Sequence, residues 1–219
     1  MHTLYSILTS LFLTLSGCST SSEQSTLANP KLVLDQGSEI ATFAGGCFWC
    51  TEAVFERVNG VTDVVSGYTG GKEKNPTYRQ VSYSETSHTE GIQIYFDPKV
   101  ISYDKLLEIF FATHDPTQVN RQGPDVGAQY RTEVFYHDDN QKQAAEKYIS
   151  KLNSEGKYDK PIATQVTAYT EFWLAEDYHQ NYYELNPGNP YIINIAVPKV
   201  KKLKKYFPDL VKDRYKAEK

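Results

Sequence analysis

Cysteine is scarce in this chain, with copies only at positions 18, 47 and 50 of 219 residues. That excludes a scaffold stapled by several disulfides, and the odd count gives one cysteine a fate apart from the other two. There is a single C-x-x-C, and the five histidines form no closely spaced pair, so the four ligands of a structural zinc site are missing. Positive charge is not in excess either: a net charge of -4 argues against nucleic acid as the main partner. No apolar run reaches membrane-spanning length, since residues 4–15, "LYSILTSLFLTL", are too few to cross a bilayer as a helix. Internal repeats are absent, and the length and apolar content are those of one domain around one core.

The early apolar run ends on Leu15-Ser16-Gly17-Cys18, small residues leading into a cysteine. This resembles a bacterial lipoprotein signal, in which residues 1–17 are removed and Cys18 is lipidated as the new N-terminus. The leading "MHT" lacks the Lys or Arg usual in such a signal, and an ordinary secretory signal with an incidental cysteine is the alternative. Residues 18–38, Ser/Thr-rich at their start, read as a tether. The expected location is therefore the bacterial cell envelope. The expected membrane contact is a lipid anchor at Cys18, with the domain on the periplasmic or extracellular face.

Along the rest of the chain, Ile40 to Ala44 is a strand candidate stopped by Gly45-Gly46, and "FWCTEAVFERV" follows helical spacing up to Gly60. Val61 to Tyr68 reads as a strand, followed by a long turn-rich loop, "GGKEKNPTYRQVSYSETSH". In "EGIQIYFDP", Ile92, Ile94 and Phe96 alternate as in a half-buried strand. Ser102 is placed to cap a helix that carries Leu106, Leu107, Phe110 and Phe111 and stops at Asp115-Pro116. A second turn-rich loop leads to a strand at 132–136, a helix closed by Gly156, and a strand over 162–169. The order β-α-β-β-α-β predicts an α+β two-layer sandwich with a largely antiparallel sheet, a ferredoxin-like (split-βαβ) core with long loops. The domain is expected over residues 39–198, followed by a basic C-terminal extension over 199–219. In that extension Val197, Val200 and Leu203 suit an amphipathic helix whose lysine face is either simply solvated or drawn to a membrane surface.

The densest chemistry lies in "GGCFWCTEA", residues 45–53. A C-x-x-C at a helix start can act as a redox couple, with Cys47 the better nucleophile because free amides and the helix dipole stabilise its thiolate. A purely structural bridge over so short a loop would remove little unfolded-state entropy. Phe48 and Trp49 could wall a pocket for a small apolar group such as a methyl on sulfur, or simply pack in the core. Spacing does not decide between the two.

Together with "SGYTGG" (66–71), "NPTYRQV" (75–81), "SHTEGIQIYFDP" (87–98), "HDPTQVNRQGPDVGAQYR" (114–131) and "AEDYHQNYYELNP" (175–187), this motif resembles the peptide methionine sulfoxide reductase A family, GCFWC type. The resemblance implies reduction of the S-epimer of methionine sulfoxide, free or in proteins, with no metal and no organic cofactor. A monomer is the expected state. The resemblance also implies Cys47 as nucleophile, Glu90 as proton donor, and Cys50 as the thiol that resolves a sulfenic acid at Cys47 into a disulfide. Phe48 and Trp49 match the methyl pocket, while Tyr78, Glu90 and Tyr130 match groups around the sulfoxide oxygen, and Asp125 matches a polar residue of the same site. Thioredoxin or an exported thioredoxin-like protein is the implied reductant. No cysteine follows Cys50, where many members carry recycling cysteines, and Ser87 and Thr89 stand where small residues are usual. A thioredoxin-like thiol-disulfide exchanger and a non-catalytic methionine-binding lipoprotein are the competing readings.

Overall fold

In a computed structural model, which describes residues 37–217, the run from Ile40 to Ala44 lies within β1 (Glu39–Gly45), inside a six-stranded sheet. β2 (Val61–Thr69) and β3 (Thr89–Phe96) follow, then a small ladder of β4 (Arg121–Gln122) and β5 (Asp125–Val126). β6 (Thr132–Tyr136), β7 (Gln165–Ala168) and β8 (Phe172–Leu174) complete the set. The large sheet runs β7-β6-β1-β3-β2-β8, and every neighbouring pair is antiparallel except β6–β7. The protein is thus a mixed α+β fold with a mostly antiparallel sheet. The expected signal peptide, the lipidation site Cys18 and all but the last two residues of the tether lie outside the described residues.

The helices among the described residues are α1 (Phe48–Glu56), α2 (Tyr78–Ser82), α3 (Tyr103–Thr113), α4 (Asp139–Ser154), α5 (Tyr182–Leu185), α6 (Val197–Tyr206) and α7 (Asp213–Lys216). Ser102 caps α3 by accepting from Lys105 N–H at 3.2 Å, and Asp138 caps α4 by accepting from Gln141 N–H at 2.8 Å. The first long loop is not wholly irregular. Thr77 and Gln80 form a reciprocal capping box that starts α2, a helix too short to leave a periodic trace.

Phe43 of β1 packs against Phe55 of α1 and stacks on Phe110 of α3 at 4.8 Å between centroids, so both helices cover one face of the sheet. α6 lies against α1 and α3 with Val200 and Leu203 buried, each side chain contributing about 1.5–3 kcal/mol. Val211 continues into the core and bridges to Val58. The basic segment from Lys199 is therefore built into the domain, since its apolar spacing turns inward and its lysines largely outward. β3 departs from its half-buried expectation: all eight residues are buried. On its second face, Gln93 joins Tyr95 and Tyr169 through hydrogen bonds of 3.1 Å each, so polar residues that alternate in sequence are covered rather than solvated. The core is aromatic and branched aliphatic. The only methionine is Met1, so the described residues contain no thioether.

Antiparallel pairing gathers four chain ends at one end of the sheet. Gly45, the last residue of β1, lies opposite Thr132, the first of β6. Tyr68, near the end of β2, lies opposite Glu90, near the start of β3. The motifs that follow β1 and precede β3 and β6 must meet there.

Candidate active site

Gly46 turns the chain from β1 into α1 with φ +89°, a conformation side chains disfavour. A Cβ at this position would lie 2.5 Å from Gln122 Cβ. Gln122 cannot swing aside freely: its Oε1 accepts from Asp115 N–H at 3.1 Å and its Nε2 donates to Asp115 O at 3.0 Å. Gly46→Ala is expected to cost about 1–3 kcal/mol and to lower turnover, because relief must displace either this loop or Cys47. Chemical denaturation and a rate assay on the same sample check it; full stability with full rate would contradict the packing.

Cys47 is the N-cap of α1, and its carbonyl accepts from Cys50 N–H at 3.1 Å, closing the first turn with both cysteines on it. Both are free thiols and buried, Cys47 at 7% exposure and Cys50 at 0%. The expectation that free helix amides stabilise a Cys47 thiolate is corrected here. The first amide, Phe48 N–H, donates instead to Glu90 Oε2 at 3.0 Å. Burial pushes the Cys47 thiol well above its ordinary range, with the hydrogen bond to Cys50 and the charge of Glu90 adding to the rise. Cys50 is lowered to about 7 by the hydrogen bond from Cys47, against burial and with help from the Lys199 charge.

Glu90 is only 1% exposed, and burial raises its carboxyl to about 8 despite the opposing bond from Phe48 N–H. It is an acid that keeps its proton at neutral pH, directly behind the nucleophile's backbone. Tyr78 starts α2, and its N–H donates to Glu176 Oε1 at 2.9 Å while Tyr68 OH donates to Glu176 Oε2 at 2.7 Å. Burial, then the charges of Glu90 and Cys47, raise the Tyr78 phenol to about 12. Tyr130 closes a 3-10 turn before β6, and its phenol is raised by burial and then by Glu90 and Cys47. Gln129 holds that turn, accepting from Ser84 Oγ and donating to Ser82 O at 3.1 and 3.0 Å. Both phenols therefore remain neutral donors.

Phe48 is buried against Tyr68 and His179, with centroids at 5.9 and 5.0 Å, so it serves the core and the site wall together. Trp49 stacks on Tyr182 at 3.7 Å and 7°, and its Nε1–H donates to His179 Nδ1 at 3.1 Å. On the other side of the pair, the Cys50 thiol lies 4.0 Å from Tyr191 OH, which donates to Asp125 Oδ2 at 2.5 Å. The structure brings Cys47, Phe48, Trp49, Cys50, Tyr78, Glu90, Asp125 and Tyr130 to one end of the sheet. It adds Glu176, His179, Tyr182 and Tyr191. Isolated aromatics in irregular segments carry no periodic signal, and Tyr191 falls just beyond the last motif of the resemblance. No three His, Cys, Asp or Glu side chains among the described residues gather as metal ligands.

A buried dithiol beside a protonated carboxyl and two neutral phenols suits removal of an oxygen atom that must be protonated to leave. A sequence profile of the family described as peptide methionine sulfoxide reductase matches residues 39–210. The chain belongs to this family. A peptide methionine sulfoxide reductase of Rhodopirellula baltica is 52% identical over 176 residues, covering 80% of this chain and 91% of that relative. One from Sulfolobus acidocaldarius is 53% identical over 171 residues, covering 78% and 96%. Among solved structures, reduced Mxr1 from Saccharomyces cerevisiae has a TM-score of 0.65 at 34% identity, covering 70% of this chain and 88% of that one. Methionine sulfoxide reductase A of Corynebacterium diphtheriae has a TM-score of 0.64 at 34% identity, covering 71% and 78%. Like these relatives, this reductase is an enzyme of methionine sulfoxide reduction and protein repair.

Proposed function

We propose that the chain reduces the S-epimer of methionine sulfoxide, free or in proteins, through Cys47, Glu90 and Cys50. The observation that carries this reading is the buried Glu90 carboxyl on Phe48 N–H, next to a buried thiol pair. The Cys47 sulfur attacks the sulfoxide sulfur. Glu90 gives its proton to the oxygen, and the proton released by Cys47 restores Glu90. Oxygen passes to Cys47 as a sulfenic acid, and methionine leaves. Phe48 and Trp49 seat the methyl group, while Tyr78 and Tyr130 donate to the oxygen and Asp125 orders Tyr191 beside the thiols. Cys50 then attacks Cys47, water leaves, and a disulfide remains for thioredoxin or an exported thioredoxin-like dithiol to reduce.

The chain acts as a monomer without metal or organic cofactor, its four central strands forming a ferredoxin-like unit of order β6-β1-β3-β2. Cys18 anchors it, as a lipoprotein, to the cell envelope after removal of residues 1–17. Mass spectrometry of the mature N-terminus tests that anchor. For the chemistry, epimer-resolved turnover with a dithiol is the decisive assay. Cys47→Ser is expected to release no methionine even in a single turnover. Cys50→Ser is expected to release about one methionine per enzyme and then stop. Sustained thioredoxin-dependent turnover in Cys50→Ser would remove the resolving role.

A further inference from the structure

α6 begins after a π-type turn, Ile192–Ala196, and carries Lys199 one residue beyond Pro198. Such turns mark functional segments more often than their rarity predicts. The Lys199 ammonium is enclosed and has no hydrogen-bond partner, while the other lysines of α6 are largely turned to solvent. An enclosed ammonium without a hydrogen-bond partner is costly, so its position calls for a reason. Its charge reaches three groups: Cys50, Asp125 and His114. His114 is no counter-ion. Its ring is buried between Phe110 O at 2.6 Å and Thr132 Oγ1 at 2.9 Å, and burial lowers it to about 3, so it is neutral. Asp125, which also accepts from Tyr191, is a standing partner for the Lys199 charge and does not change through the cycle. Cys50 remains as the group whose charge changes during the reaction.

We infer that Lys199 is a positioning residue for the second half of the cycle, its ammonium serving as counter-charge to the Cys50 sulfur when that sulfur attacks the Cys47 sulfenic acid. The inference rests on the resolving role proposed for Cys50. In this step the Cys50 thiolate forms the S–S bond, the Cys47 S–O bond breaks, and the hydroxyl leaves as water with a proton from Glu90. The Cys50 sulfur supplies the electron pair of the new S–S bond while the S–O pair leaves with the oxygen, so the Cys47 sulfenic acid is itself the oxidant and no further one is required. Cys50 is otherwise faced by groups that oppose a negative charge or are neutral: Asp125 from β5, Glu90 from β3, Cys47 from α1 and Tyr191 from the segment before α6. Lys199, on α6 packed against α1, brings a positive charge to bear on Cys50.

The test uses full-length protein carrying Cys47→Ser, in which the serine hydroxyl preserves a donor to Cys50. Thiolate ultraviolet absorbance is followed against pH, with the Cys47→Ser/Cys50→Ser double variant subtracted so that only Cys50 is read. Adding Lys199→Met is expected to move the Cys50 midpoint upward by about one pH unit, and Lys199→Arg to restore most of it. In the otherwise native chain, Lys199→Met should leave the first methionine release unchanged and slow disulfide formation about tenfold near pH 7. Its thermal stability should change little, because an apolar chain of similar length relieves the enclosed ammonium while Asp125 loses a nearby cation. An unmoved midpoint in both Lys199→Met and Lys199→Gln overturns the inference. Full cycling by Cys50→Ser instead overturns the resolving role, a separate result from the titration.

Discussion

Glu90→Gln is expected to slow methionine release by about 10²- to 10⁴-fold, with substrate binding much less affected. The amide keeps the shape of the carboxyl and can still accept from Phe48 N–H, so the helix start is preserved while the transferable proton is lost. Sulfoxide oxygen is a poor leaving group unless protonated, and Tyr78, held at about 12, is too weak an acid to replace Glu90 at neutral pH. The pH profile gives an independent signature. Burial lifts Glu90 from 4.5 to about 8, so its acid form persists through neutrality and is lost as pH rises past 8. Single-turnover rates should therefore fall on the alkaline side in the native enzyme, and that limb should be absent in Glu90→Gln. A rate within a few-fold of native at pH 7 would end the assignment of Glu90 as the acid.

Arg57→Ala should produce the largest loss of stability, about 3–5 kcal/mol, or on the order of 10 °C in Tm. The guanidinium is fully buried at the end of α1, donates to Ala53 O at 2.8 Å and pairs with Glu184. It also lies between the rings of Tyr183 and Tyr215, at 4.4 and 4.5 Å. Truncation leaves a cavity between two phenols and deprives Glu184 of its cation at once. Arg57→Lys should recover little, since a compact ammonium cannot fill the planar gap between the rings. Calorimetry decides; a shift of only 1–2 °C in Arg57→Ala would mean that the neighbouring rings close over the gap.

The amino-acid order makes legible whatever is written in local spacing. Ser102, Asp138 and Gly156 announce helix ends because caps act within a few residues, and Ile40 to Ala44 announces a strand by its apolar run. α2 and β8 leave no such trace, because five and three residues cannot establish a period. The second buried face of β3 is hidden for another reason: Gln93 and Tyr95 look like solvent-facing polar positions until Tyr169, far along the chain, covers them. Glu90 alone would pass for a surface carboxylate at a strand start, and only the surrounding motif points to it. The Cys47 thiol is raised first by burial, then by its bond with Cys50 and the charge of Glu90. Glu90 also takes Phe48 N–H from 42 residues away, so a rule about helix starts cannot supply that environment.

The core's lack of thioethers has a bearing on survival under the stress this enzyme repairs. Oxidation of methionine makes a greasy side chain polar, and in a packed interior that damage loosens the fold. Here the interior offers peroxide no such target. Its sulfur is confined to Cys47 and Cys50, and in the cycle proposed above their joint oxidised form is a disulfide that recycling reverses. A repairer built this way does not become its own patient.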